Sequence, residues 1–222
     1  MEDTNKSEVH LTYWNCRGRA QVCRYTLEAV GVTYTETRYE VSDYKDWFER
    51  DKPVLTLPLP NLPHFKDGEI HFTEHDAILR YIARKYKPEL LGKNLADEAV
   101  QENYLCYLTK LFQKLADFCH TPNPTDESRS AFAESHSPQL TGINTALEGK
   151  QFLVGDYLTV ADLYFYEQIT ILELISKDTF AKYPNIQKFK ENLENLDWFS
   201  NYLKGEKFVS RPYFGPRAII NN

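Results

Sequence analysis

The stretch PLPNLPHFKDGEIHF, residues 58–72, decides the fold class. Its three prolines within residues 58–63 exclude a helix interior and a central strand. Behind them, residues 64–66 and 69–72 favour two short strands, and Asp67-Gly68 is a dipeptide typical of a tight hairpin turn. The stretch therefore predicts an irregular proline-rich segment that leads directly into an antiparallel hairpin.

Upstream of this stretch, the sequence predicts a β-α-β unit. Residues 9–13 and 32–39 alternate in the manner of strands. Between them, apolar residues recur with helical spacing after Gly18, and Gly31 suits the left-handed position that follows a helix. A further helix is expected from Asp76 onward. The order β-α-β, linker, β-β-α is typical of an α/β sandwich.

The character of the chain changes near residues 88–94, after which nearly every segment has helical spacing. A long helix should end at Thr121-Pro122, and its apolar stripe consists of Leu105, Leu108, Phe112, Leu115 and Cys119. Residues 126–147 form a helical stretch interrupted near Pro138. Thr159 begins a capping-box-like pattern before an apolar helix over residues 163–175. Shorter helices are expected from residue 184 and around residues 197–203. The second half is therefore predicted to be all α.

Composition excludes several classes of function. The chain has 222 residues, with 26 Lys and Arg against 32 Asp and Glu, and its net charge of −6 argues against bulk nucleic acid or a membrane surface as partner. The most apolar stretch, residues 151–175, holds four acidic side chains and is not expected to cross a membrane. No apolar secretion signal is visible near residue 1. We expect a cytoplasmic protein whose glycosylation sequon at Asn5 is unused.

Familiar catalytic signatures are missing. The four cysteines form no C-x-x-C pair, so neither a zinc ribbon nor a redox-active dithiol is expected. His71 and His75 are separated by a strand-to-helix junction and do not form a helical metal pair. The sequence also has no nucleophile elbow, P-loop or dinucleotide-binding glycine motif. We therefore expect no metal site.

Three segments should converge where ligands bind on α/β sheets, beside strand ends and helix N-termini: residues 13–18, 61–63 and 74–76. By themselves the residues favour a plain proline-rich loop, with a cis Leu62–Pro63 bond as the alternative that would offer Leu62 backbone groups to a peptide-like ligand. Glu74 and the helix start behind it would suit the ammonium and carboxylate of an amino acid. The alternative there is simple helix capping by His75 or Asp76.

The chain resembles the cytosolic glutathione S-transferases over essentially its whole length, looking closest to the mu class with some sigma-like features. The resemblance is carried by LTYWNCRG at 11–18, PNLP at 60–63, AILRYIARK at 77–85, FLVGD at 152–156, TVAD at 159–162 and FVSRP at 208–212. It implies an α/β thioredoxin-like, glutathione-binding N-terminal domain over residues 8–87. It further implies an all-α C-terminal domain over residues 94–222, which carries the electrophile pocket, and a homodimer.

The resemblance also implies residue roles. Tyr13 matches the catalytic tyrosine whose hydroxyl binds the glutathione sulfur. Glutathione-binding positions are implied at Trp14, Arg19, Trp47, Lys52, Asn61, Leu62, Pro63, Glu74 and His75, with Pro63 as the family's cis-proline. Candidates for the second-substrate pocket are Tyr107, Leu111, Lys114, Phe118 and Phe214. Glutathione is a co-substrate here, and no cofactor is expected.

Several positions depart from the family pattern. His75 replaces the usual serine, and a protonated imidazole would be its substitute as a carboxylate contact. Arg19 stands where mu enzymes have leucine. In ungapped register, Asp117 or Phe118 occupies the place of the mu-class second tyrosine. Leu59 replaces a bulky aromatic key of mu dimers.

The implied function is conjugation of the glutathione thiolate to small hydrophobic electrophiles, a detoxification reaction. Two alternatives stay open at this point. One is a non-catalytic glutathione-fold protein, such as a carrier, a structural protein or an interaction module, which His75 and the absent second tyrosine favour. The other is a sigma-like glutathione-dependent isomerase acting on a lipid endoperoxide, which Arg19 and the shortened loop before Trp47 favour.

Overall fold

A computed structural model describes residues 9–221, the last without its side chain; residues 1–8, which include Asn5, lie outside the described part. Its sheet has the order β2-β1-β3-β4, formed by β1 (Val9–Trp14), β2 (Tyr34–Tyr39), β3 (His64–Asp67) and β4 (Ile70–Thr73). β1 runs parallel to β2 and antiparallel to β3, and β3 and β4 form the predicted hairpin. The mixed sheet confirms the predicted α/β half.

Two helices pack together and supply much of this half's core. They are α1 (Ala20–Val30) and α2 (His75–Tyr86). α1 ends where Gly31 takes a φ of 70°, a conformation that costs glycine little. Leu11 and Phe65 from the sheet and Ile78 from α2 are fully buried in one apolar core. Between β2 and β3 lie three short helical turns, Val41–Asp43, Asp46–Asp51 and Lys52–Val54.

The second half is helical, as predicted. After a short turn at Pro88–Leu91, its helices are α3 (Leu95–Cys119), α4 (Asp126–Ser135), α5 (Ser137–Ala146), α6 (Val160–Ile175), α7 (Lys177–Phe180), α8 (Pro184–Glu194) and α9 (Asp197–Lys204), followed by a turn at Ile219–Asn221. α6 is the central helix, because most of its side chains are buried. No helix in the described range is long and apolar enough to cross a bilayer. The exact domain limits, 8–87 and 94–222, stay a prediction.

The start of α6 shows why this chain folds as its local signals predict. Thr159 and Asp162 form the expected capping box: the Asp162 carboxylate accepts hydrogen bonds from the Thr159 N–H and hydroxyl, both at 2.7 Å. It also accepts the Leu153 N–H at 2.8 Å, so it ties the preceding loop to the helix. Complete burial raises the pKa of Asp162 to about 6 despite these bonds.

Candidate active site

A cavity of about 510 Å³ lies at the carboxyl end of β1, between the two halves of the chain. One wall consists of Tyr13, Trp14 and the turn that follows them. The opposite wall comes from the last turns of α3 and from the C-terminal segment 212–216, termed the tail wall. The cavity lies beside a strand end and a helix N-terminus, which is the place where the sequence predicts a ligand site.

Tyr13 is buried, and its hydroxyl oxygen accepts a hydrogen bond from the Arg19 backbone N–H at 3.1 Å. Because that bond uses the oxygen as acceptor, the O–H proton stays available for a ligand. Burial, with a smaller contribution from Cys16, raises the pKa of Tyr13 above its usual value. The phenol is therefore neutral at physiological pH and acts as a hydrogen-bond donor.

Gly18 explains how the hydroxyl is held so closely. Its φ is +42°, and a Cβ at this position would lie 2.7 Å from the Tyr13 hydroxyl oxygen. A glycine is required here both for the backbone conformation and for the close approach. The turn therefore lies directly against the Tyr13 hydroxyl.

The Leu62–Pro63 peptide bond is cis. The resemblance therefore predicted it correctly, and the preference of the residues alone for a plain loop was wrong. Neither the N–H nor the C=O of Leu62 has a hydrogen-bond partner within residues 9–221. Next to it, Lys52, Asn61 and Glu74 line one open cleft together with Pro58–Pro60.

The beginning of α2 offers donors to an anion. Glu74, just before the helix, has a φ of 75°, a left-handed conformation unusual for a residue with a side chain. No side chain caps this helix, so the capping alternative for His75 and Asp76 is wrong. The N–H groups of His75 and Asp76 have no hydrogen-bond partner in the described structure and stand at the positive end of the helix dipole.

The proposed substitution of a protonated His75 for the usual serine is wrong. Its ring is buried and turned into the packing between the two halves, with Nε2 2.7 Å from the Tyr164 hydroxyl and the ring 5.9 Å from that of Phe112. Burial lowers the pKa of His75 to about 4, against the opposing effect of Asp76. The imidazole is neutral at pH 7, and only the backbone N–H remains for a ligand.

The other predicted glutathione-binding side chains divide between the cavity and its surroundings. Trp14 lines the cavity and packs on Tyr39 at 5.8 Å. Trp47 is buried behind Tyr39. Arg19 lines the cavity edge, where its guanidinium lies 5.3 Å from the centre of the Phe112 ring and donates to Gln113.

The predicted second-substrate residues need correction. Of the five, Phe214 lines the cavity, whereas Tyr107, Leu111, Lys114 and Phe118 do not. Leu111 is buried in the helical core, Phe118 stacks on Phe132 of α4 at 4.2 Å, and Tyr107 lines a separate groove against α5. The α3 residues on the cavity wall are instead Phe112, Ala116 and His120.

Their spacing of four residues is a helical signal that was visible in the sequence. Sequence analysis missed it because Phe112 was assigned to the buried stripe of α3. His120 follows the last residue of α3, and its Nδ1 hydrogen-bonds the Ala116 carbonyl oxygen at 2.7 Å. A carbonyl only accepts, so Nδ1 carries the hydrogen in this bond.

Within the described residues, no group of three or more potential metal ligands lies close enough to hold an ion. His71 packs against His64 with ring centres 5.7 Å apart, away from His75.

Comparison with known proteins identifies the family. Residues 9–84 match the model of the glutathione S-transferase N-terminal domain, and residues 91–206 match that of the C-terminal domain. The chain is 32% identical to glutathione S-transferase 2 of Gallus gallus, over 96% of this chain and 98% of that protein. It is 29% identical to glutathione S-transferase Mu 2 of Homo sapiens, over 96% and 98% respectively. The chain belongs to the glutathione S-transferase family and is a glutathione transferase, which confirms the family and the activity predicted from the sequence.

Solved structures agree with the fold. The glutathione S-transferase Blo t 8 superposes with a TM-score of 0.83 at 22% identity, covering 96% of this chain and all of that chain. Rat hPGDS complexed with a quinoline gives 0.76 at 23% identity, covering 91% of this chain and 99% of that chain. At these identities the likeness bears on the fold alone.

Proposed function

We propose that Tyr13 is the catalytic residue and that its hydroxyl donates a hydrogen bond to the thiolate of bound glutathione, which then attacks an electrophile in the 510 Å³ cavity. The observation that carries this role is the buried, neutral Tyr13 hydroxyl, whose oxygen already accepts the Arg19 N–H. The hydroxyl proton therefore remains available for a hydrogen bond to the sulfur atom of glutathione.

The energetics of one hydrogen bond suffice. A free thiol has a pKa near 8.5 and is about 3% ionised at pH 7. Lowering that pKa by about two units requires about 2.7 kcal/mol of preferential thiolate stabilisation. A hydrogen bond to a charged group contributes roughly 1.5–3 kcal/mol, so neither a general base nor a metal is needed.

The hydrogen-bonding groups along the cleft suggest how the remaining parts of glutathione bind. The free N–H and C=O of Leu62 pair with the cysteinyl backbone in the manner of an added strand. The N–H groups at the start of α2 bind the γ-glutamyl carboxylate, and Glu74 pairs with its ammonium. Lys52 and Asn61, in the same open cleft, bind toward the glycyl end. We propose glutathione as co-substrate and no cofactor.

The electrophile side takes apolar substrates. Phe112, Ala116, Phe214 and Pro216 present mainly hydrocarbon surface to the cavity. No observation on the described residues favours the non-catalytic or the isomerase alternative.

Replacement of Tyr13 by phenylalanine tests the proposal. Tyr13→Phe should lower kcat toward an aromatic halide by about 25-fold at pH 7, because the ionised fraction of the bound thiol falls from about three quarters to about 3%, while calorimetric glutathione affinity changes little. Tyr107→Phe is the matched control, since this hydroxyl lies in another groove and has no partner in the described structure. Wild-type turnover in Tyr13→Phe would refute the catalytic role.

A cytoplasmic homodimer is also part of the proposal. Leu59 is 70% exposed and Leu95 is 81% exposed, and such large apolar side chains suit burial against a second copy. Analytical ultracentrifugation should give twice the chain mass, and Leu59→Asp should shift the protein toward the single-chain mass. Leu174→Asp, at a less exposed apolar position on α6, is the control. A wild-type protein that sediments as one chain would contradict the dimer.

A further inference from the structure

A buried ion pair joins the two halves of the chain behind the active site. Arg17 is only 3% exposed, and its Nε and Nη2 donate to the two carboxylate oxygens of Glu167 on α6, at 3.0 and 2.5 Å. Tyr25 on α1 accepts from Arg17 Nη2 at 2.8 Å and donates to Glu167 at 3.1 Å. Burial alone would lower the pKa of Arg17, but the Glu167 carboxylate reverses this, so the guanidinium keeps its charge.

The same arginine is clasped by the C-terminal segment. Its guanidinium carbon lies 4.3 Å from the centre of the Tyr213 ring and 5.1 Å from that of Phe208. Its backbone N–H donates to the Pro212 carbonyl oxygen at 2.9 Å, and the next N–H, of Gly18, donates to the Tyr213 carbonyl oxygen at 2.8 Å. The turn at residues 16–19 is therefore held from the other half of the chain.

This turn is the part of the protein that touches the catalytic hydroxyl. Gly18 leaves no room for a side chain beside Tyr13, and the Arg19 N–H supplies the hydrogen bond to the Tyr13 oxygen. A displacement of the turn would change where the hydroxyl points. The segment that fixes the turn continues directly into Phe214, Gly215 and Pro216 of the tail wall.

We propose that Arg17 is a positioning residue that, through Glu167 and the C-terminal segment, holds the turn at residues 16–19 against Tyr13. It thereby couples the tail wall to the position of the Tyr13 hydroxyl. The inference rests on the proposed role of Tyr13. Arg17 acts without touching glutathione, because its guanidinium is directed into the interface with α6.

Stability alone does not account for this pair. A buried ion pair contributes little net stability, because desolvation of both charges offsets their attraction, and apolar replacements are often as stable. Its bidentate, planar geometry does specify position. The double variant Arg17→Met/Glu167→Leu separates the two roles, since it leaves no buried charge unpaired.

The test is a pH titration of the ultraviolet absorbance of enzyme-bound glutathione thiolate, alongside thermal unfolding and kcat at saturating glutathione. We expect Glu167→Gln and the double variant to raise the pKa of the bound thiol by about one unit, which corresponds to about tenfold less thiolate below that pKa. The double variant should regain thermal stability over Glu167→Gln without regaining the low thiol pKa. Asp162→Asn, a buried α6 variant whose hydrogen bonds go to Leu153 and Thr159 rather than to the turn, should lower the unfolding temperature and leave the thiol pKa unchanged.

The outcomes are separable. A wild-type protein that shows no bound thiolate would refute the role of Tyr13. A wild type with a lowered thiol pKa, matched by Glu167→Gln or by the double variant, would overturn the role of Arg17 alone. An equal thiol shift in Asp162→Asn would also overturn it, because general loosening would then be the cause.

Discussion

The two walls of the cavity are held by different kinds of interaction. The wall around Tyr13, here the sulfur side, is held by a backbone hydrogen bond to the Tyr13 hydroxyl, by the left-handed Gly18 and by the buried Arg17–Glu167 ion pair. Each of these interactions permits only a narrow range of geometry. The electrophile side is built mainly from apolar side chains of α3 and the tail wall, which tolerate change in shape. We infer that substitutions on the first wall affect turnover and that substitutions on the second affect electrophile affinity.

The largest expected effect comes from crowding the sulfur side. Gly18→Ala places a Cβ 2.7 Å from the Tyr13 oxygen and should lower kcat at pH 7 by about 25-fold or more, at least as much as loss of the hydroxyl. Gly149→Ala is the matched control, because Gly149 has a φ of +72° and nothing within 4 Å of the added carbon. Both should lose about 1 kcal/mol of stability from the strained backbone. Equal kcat values for the two variants would contradict a special fit at Gly18.

A smaller effect is expected on the electrophile side. Phe214→Ala removes a buried ring from the tail wall and should raise KM for an apolar electrophile about tenfold, with glutathione affinity unchanged. Phe118→Ala, on α3 but stacked on α4, should leave this KM unchanged. A larger KM effect at Phe118 would reverse the assignment of the two faces of α3.

The smallest expected effect concerns the dependence of folding stability on pH and involves His75, which belongs to neither wall. Its pKa is lowered to about 4 by burial, against about 6.5 unfolded, so the unfolded chain binds the proton first as the pH falls. Stability contributed by the neutral imidazole is therefore present above pH 6.5 and is lost toward pH 4, by about 1–2 kcal/mol at pH 5.

Chemical denaturation at pH 7 and pH 5 checks this. His75→Gln should lose less stability on acidification than the wild type. Part of the loss in the free energy of unfolding should remain in this variant, because burial also lowers the pKa of His64 to about 4. An equal loss of stability in His75→Gln and in the wild type would show that protonation of His75 is not linked to folding.

Short-range rules explain which parts of the fold were predicted. The hairpin, the Gly31 helix end and the Thr159–Asp162 cap each depend on a few neighbouring residues, and all three are present. The hairpin turn lies one residue later than predicted, at Gly68-Glu69, because Asp67 still pairs with Ile70 in the sheet. The place of Tyr13 at the cavity and the cis Leu62–Pro63 bond were predicted from the motifs that carry the family resemblance.

The errors occurred where packing decides. Assigning the α3 wall to Leu111 rather than Phe112 amounts to a rotation of about 100° around the helix axis, which hydrophobic spacing alone does not resolve. His75 was expected to face the ligand, yet packing against Tyr164 on α6 turns its ring inward.

The sequence by itself determined the order of elements and the family, because these follow from local backbone preferences and motif spacing. Only the tertiary structure decided which side chains share the cavity, how the tail wall docks and that Arg17 meets Glu167, 150 residues away. The physical reason is that such contacts depend on how whole elements pack, and burial then sets the charge states of Tyr13 and His75.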